Sequence, residues 1–142
     1  MIYRFAICFA FVTTLLCGCT AYDVDTPDTA ANRKGFERHL MLAPTDAVSQ
    51  VYYYADEMGA DVRYQLSFKC DKTTIDQIVT GLSLSQAPAE YNGLAPRDDL
   101  KWWKSDSIKG RTLWVRERTD EYYWELWYSE NDSVAYYHEY SI

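Results

Sequence analysis

The chain has 142 residues, 48% hydrophobic, 16% aromatic and 25% charged, with 14 Lys+Arg against 21 Asp+Glu and a formal charge of −7. That length suits one domain and leaves no room for a two-domain cofactor enzyme. An acidic balance with no basic stripe argues against nucleic acid as a partner, and ordinary hydrophobicity with six Gly and four Pro excludes a disordered or collagen-like chain.

In chain order, Met1-Ile2-Tyr3-Arg4 is a short segment with one positive charge, and Phe5 to Cys17 is a 13-residue apolar run broken only by Thr13 and Thr14. A helix crossing a bilayer needs about 20 apolar residues, so this run is too short for an ordinary membrane span and has the length of a secretory signal core. It ends in Leu16-Cys17-Gly18-Cys19. That tetrapeptide resembles the lipobox of bacterial lipoproteins: an aliphatic residue, a small one, Gly or Ala, then the acylated Cys. The resemblance covers the first 19 residues. It implies cleavage after Gly18, so that residues 1–18 are a signal peptide, and anchoring in membrane lipid through acylated Cys19. Thr20, where Asp would favour the inner membrane of an enterobacterium, implies the outer membrane, with the domain facing the periplasm.

Of the four cysteines, Cys8 and Cys17 fall in the signal and Cys19 at the lipidation position, which leaves Cys70 alone and no internal disulfide. Residues 19–35 read as the lipidated Cys and a flexible tether. Thr20 to Lys34 has almost no large apolar side chain with which to offset ordering entropy. The domain is then expected over 36–142.

Val48 to Tyr54 is dense in β-branched and aromatic residues and reads as a strand, with a helix from Thr45 to Met58 as the competing reading. The next run favours the strand. Val62, Tyr64, Leu66, Phe68 and Cys70 alternate with Arg63, Gln65, Ser67 and Lys69, so Asp56 to Gly59 becomes a hairpin connection. Cys70 lies on the apolar phase and is expected to be buried. Asp71 to Leu84 reads as a helix capped by Thr73 or Thr74, with Ile75, Ile78, Val79 and Leu82 on one stripe and Gly81 near its end. Ser85 to Lys101 holds Pro88, Asn92-Gly93 and Pro96 and reads as a surface loop. Arg111 to Arg118, Glu121 to Ser129 and Ser133 to Tyr140 are three strands at hairpin spacing. The fold class expected is α+β, a small antiparallel sheet in the order β-β-α-β-β-β with one helix packed on a face.

Motifs for chemistry are sparse. His39 and His138 have no metal-ligand spacing, no Gly-x-Ser-x-Gly elbow or phosphate-binding glycine loop is present, and no cofactor is expected. The acidic pairs Asp56-Glu57, Asp98-Asp99 and Asp120-Glu121 lie in expected turns, where solvated surface is the simpler reading than a glycosidase pair. Aromatics dominate the C-terminal strands. Trp114, Trp124, Tyr128, Tyr136 and Tyr140 are assigned to the inward faces. Tyr123, Trp127 and Tyr137, with Arg116 and Glu125, form a mixed aromatic and charged face suited to protein recognition. The competing reading has the loop with Trp102-Trp103 covering that face.

The expected function is a non-catalytic, lipid-anchored protein whose domain binds another envelope protein or an incoming one such as a toxin. Glycan binding by the aromatic strands is the alternative, and an envelope hydrolase is less favoured. The layout is similar to small uncharacterised or prophage-encoded lipoproteins of enteric bacteria, including immunity and exclusion lipoproteins. This resemblance carries no residues after Cys19.

Overall fold

The computed structural model describes residues 25–57, 59, 61–117 and 121–142. Residues 1–18, expected to be a signal peptide, lie outside the described residues, as do Cys19, Thr20 and Asp120. The elements in chain order are α1 (Ala30–Leu40), β1 (Ser49–Asp56), β2 (Arg63–Lys69), α2 (Lys72–Gly81), β3 (Ser85–Gln86), a 3-10 turn (Ser105–Ile108), β4 (Thr112–Glu117), β5 (Tyr122–Ser129) and β6 (Val134–Ser141). The strands form one antiparallel sheet in the order β1-β2-β6-β5-β4-β3. The α+β class, the strand run from Val48, the alternating strand, the helix after it and the three C-terminal strands are therefore all present.

Period-two alternation sends each strand's residues to two faces. On one face, β2 contributes Leu66 and Phe68, β5 contributes Trp124, Leu126 and Tyr128, and β6 contributes Ala135 and Tyr137. Both helices cover this face. α2 buries Ile75 and Ile78 of its stripe, with Leu82 buried just past its end and Val79 partly buried, and α1 buries Phe36 and Leu40. Phe36 meets Phe68 edge to face at 4.9 Å between ring centres, a geometry favoured by the ring quadrupoles. Cys70 is buried at the end of β2, where burial and the nearby Asp71 push its thiol up to about 12.

Two expectations need correction. The cap of α2 is Asp71, which accepts from the Thr74 N–H at 2.8 Å and from the Thr74 hydroxyl at 2.7 Å. Thr74 thus sits inside the first turn and donates to the cap.

The second correction concerns the tether. Residues 30–35 belong to α1, so the described residues form two α-helices and the folded domain includes residues before Phe36. The sequence hid this because polar contacts hold the helix start. Thr29 caps it by accepting from the Asn32 N–H at 3.1 Å. Asn32, fully buried, donates its amide to the carbonyls of Thr26 and Val51. Gly35 is also buried because the Tyr53 ring lies against it, 2.7 Å from where a Cβ would stand.

The same segment also seals the outer edge of β1. A bulge between Ser49 and Tyr52 sets Gln50 at φ 53°. The Asp28 carboxylate then accepts from the N–H groups of Gln50 and Val51, and the Asp28 N–H donates to the Val51 carbonyl at 2.8 Å. Such sealing blunts an edge that would otherwise invite strand pairing. Asp28 itself adopts φ 57°, a region that Ala tolerates poorly. Asp28→Ala should therefore lower stability by about 1–3 kcal/mol, read as a fall in the urea midpoint. Asp28→Asn should lose less, because Asn keeps both an acceptor and tolerance of positive φ.

Candidate functional site

The second sheet face is covered by the segment from Ala87 to Arg111, which crosses it as a strap. Register arranges this face in rows. One row is aromatic: Ser67 pairs with Tyr136, Tyr136 with Trp127, and Trp127 with Leu113. Trp103 from the strap is fully buried on it, edge-on to Trp127 at 6.0 Å and to Tyr136 at 5.1 Å. Trp102 stacks on Tyr52 beside it.

The adjacent row is polar and buried: Gln65 pairs with His138, and His138 with Glu125. The strap satisfies it side chain by side chain. Gln65 exchanges two hydrogen bonds of 2.9 Å with the backbone of Arg97, standing in for a neighbouring strand. Tyr91 donates to Glu125 at 2.8 Å, and His138 Nδ1 lies 2.7 Å from the other Glu125 oxygen. Burial and the Glu125 carboxylate push the Tyr91 phenol well up, so it remains a donor. The Leu94 N–H donates to the Tyr140 hydroxyl. Between these contacts lies Gly93, where a Cβ would run into the Glu125 carboxylate. Among the described residues, two buried nitrogens on this side, His138 Nε2 and Trp103 Nε1, have no hydrogen-bond partner, nor does Asn32 Oδ1 on the α1 side, a cost of about 1–3 kcal/mol each.

A matching constellation sits on the helix face. Glu139 receives hydrogen bonds from Tyr137, from Tyr122 and, at 2.8 Å, from His39 Nδ1, and His39 Nε2 lies 3.1 Å from the Tyr53 hydroxyl. Burial alone would raise the Glu139 carboxyl, but these donors outweigh it and the net shift is downward. The order hydroxyl, imidazole, carboxylate is that of a nucleophile relay. Burial, then the neighbouring Tyr64, push Tyr53 up to about 12, so the phenol keeps its proton. Both histidines of the chain are thus engaged by glutamates on opposite faces of one sheet. Among the described residues, no cluster of three His, Cys, Asp or Glu is placed to hold a metal.

The five residues expected to form one recognition face do not share a surface. Trp127 and Glu125 are buried under the strap, and Tyr123 is half-buried and stacked on Tyr140 at 4.9 Å. Tyr137 is fully buried on the helix face. Arg116 faces that side too, donating to the Leu82 carbonyl at 2.8 Å and lying 4.3 Å over the Trp124 ring. Tyr136 and Tyr140, assigned with Trp124 and Tyr128, lie on the strap face instead. The loop over Trp102-Trp103 thus covers the face, as the competing reading had it.

Of the acidic pairs, Glu57 accepts from Tyr64, Asp98 from Ser105, and Asp99 pairs with Arg97. The residues that sequence reasoning missed are Gln65, Tyr91, Gly93 and Arg97. One signal was present: Glu125 lies between Tyr123 and Trp127, and His138 between Tyr136 and Tyr140, on one phase, so polar groups share a face with large aromatics.

The described residues therefore form a six-stranded antiparallel α+β fold with helices on one sheet face and a strap on the other. No family model, no curated protein and no solved structure matches it.

Two predictions follow from the faces. Because Glu139 is shifted below its ordinary value of 4.5, its contribution is full above that pH and is lost as pH falls through the folded-state value. Denaturant titrations between pH 7 and 3 should show Glu139→Gln less stable than wild type at neutral pH and losing less on acidification. Gly93→Ala should lift the strap, shifting indole emission to longer wavelength as Trp103 meets water, with far-ultraviolet dichroism unchanged.

Proposed function

We propose that this protein is a membrane-anchored lipoprotein whose domain binds another protein of the cell envelope, or one arriving from outside, without catalysing a reaction. The observation that carries the anchor is the order of motifs at the N-terminus: a short basic start, a 13-residue apolar run, then Leu16-Cys17-Gly18-Cys19. Two or three acyl chains on Cys19 give stable anchoring where one is marginal. Thr20 favours the outer membrane, with the domain facing the periplasm.

The folded part supports a membrane-proximal role. Asp25 already pairs with Lys101 of the strap, so only the segment up to Asp25 separates the domain from Cys19. At about 3.5 Å per extended residue, that spans no more than roughly 20 Å, which suits a partner in or near the bilayer. With the aromatic face covered, recognition falls to the acidic outer surface, whose charge suits a basic partner and a salt-sensitive on-rate.

The test uses the full chain in bacterial envelopes, with a photo-reactive residue at exposed Asp46 or Asp106 and a palmitate analogue in the medium. The expected outcome is a labelled, membrane-bound protein that cross-links to one discrete species. Cys19→Ser should lose the label, the membrane fraction and that adduct together. A soluble, unlabelled wild-type protein would overturn the anchor, and a smear of adducts the specific partner.

A further inference from the structure

The helix face of the sheet is left uncovered at its β4 end. Beyond the first residue of α2, an open groove of about 500 Å³ runs between α2, the β5–β6 turn and the β3–β4 edge, within the size range of small-ligand sites. Trp114, half-buried against the core, lines it. Gln86 and Thr112 face it from the β3–β4 edge, and Glu130 and Asn131 from the turn, all exposed. Register makes Gln86 the direct partner of Trp114 across β3 and β4, so an amide stands beside the indole.

The chemistry of this lining selects its ligand. Among the described residues, the side chains of Gln86, Thr112 and Asn131 make no hydrogen bond to the rest of the chain, so their donors and acceptors are available. Lys72, the one cation in the groove, is already paired with Asp76 four residues on. With Glu130 alongside, the groove has no surplus positive charge for an anion. Its many polar groups also make it a poor seat for an apolar helix, which needs a hydrophobic groove. A neutral ligand with many hydroxyl or acetamido groups and one flat C–H face matches an indole wall beside amides.

We propose that this groove is a carbohydrate-binding site for a neutral glycan, with one sugar ring against Trp114 and its polar groups bonded to Gln86, Thr112 and Asn131. The site lies on the helix face of β4 and β5, opposite the strap, and does not depend on the lipid anchor or on a protein partner.

The test titrates the full chain in mild detergent with an N-acetylglucosamine trimer and with maltotriose, following indole N–H resonances by NMR. The Trp114 signal is assigned through Trp114→Phe. The expected result is a saturable shift of that one indole with at least one sugar, and a loss of affinity of about tenfold in Gln86→Ala and in Asn131→Ala, one hydrogen bond each. Both side chains are exposed, so these variants keep the fold, which a thermal melt checks. No Trp114 shift with either sugar at about 10 mM, weaker than any useful affinity on the usual scale, would overturn the proposal. So would unchanged binding in the Gln86→Ala, Asn131→Ala double variant.

Discussion

Adjacent residues of a strand point to opposite faces, and on β6 the adjacent residues are His138 and Glu139. β6 lies between β2 and β5 at the centre of the sheet. Through Glu139 and His39 it grips α1, and through His138, Glu125 and Tyr91 it grips the strap. Two segments far apart in sequence are thus fastened to neighbouring positions of one strand. Each grip is a buried carboxylate with several donors, the condition under which burying charge is tolerated. Sliding β6 by one residue would exchange the two faces and unfasten both.

The two faces are built on different principles. The helix face is mostly apolar and close-packed, with Leu66, Ile75, Ile78 and Leu126 excluded from solvent. The strap face combines aromatic packing around Trp103 with a polar row matched to backbone and phenol groups. The strap is a loop held by side-chain contacts, and among the described residues two nitrogens, His138 Nε2 and Trp103 Nε1, are unpaired where it meets the sheet. Local opening in proteins is drawn from such regions. Of the aromatic residues that looked available for recognition, Trp127 holds the strap down, Tyr137 is buried against the helices and Tyr123 is half-buried against Tyr140, and the surfaces that remain are the acidic exterior and the groove beside Trp114.

Much of the fold was legible in local pattern. The alternation from Val62 to Cys70 identified β2, the stripe Ile75, Ile78, Val79 and Leu82 identified α2, and the turn residues between three aromatic runs identified the final strands. The face assignment of β6 was not legible. Tyr136, Tyr137 and Tyr140 are chemically alike, so nothing local says which of them turns toward the helices. That followed from the pairing of Leu126 with Tyr137. The start of α1 was hidden for another reason: Asn32 and Gly35 look like linker residues, and only contact with Val51 and Tyr53 makes them interior.

By itself the sequence determined what is local. Strand period, the apolar stripe of α2 and the apolar phase of Cys70 are properties of neighbours along the chain, where residue type and spacing carry the physics. Tertiary structure decided what depends on distant residues meeting: which side of β6 each aromatic faces, the pairing of both histidines with glutamates, and the fastening of a largely exposed loop across the second sheet face. The physical reason is that a polar segment is solvated by default and is held against a sheet only when the fold presents partners for its hydrogen bonds. Gln65, Glu125 and Tyr140 present those partners to the strap.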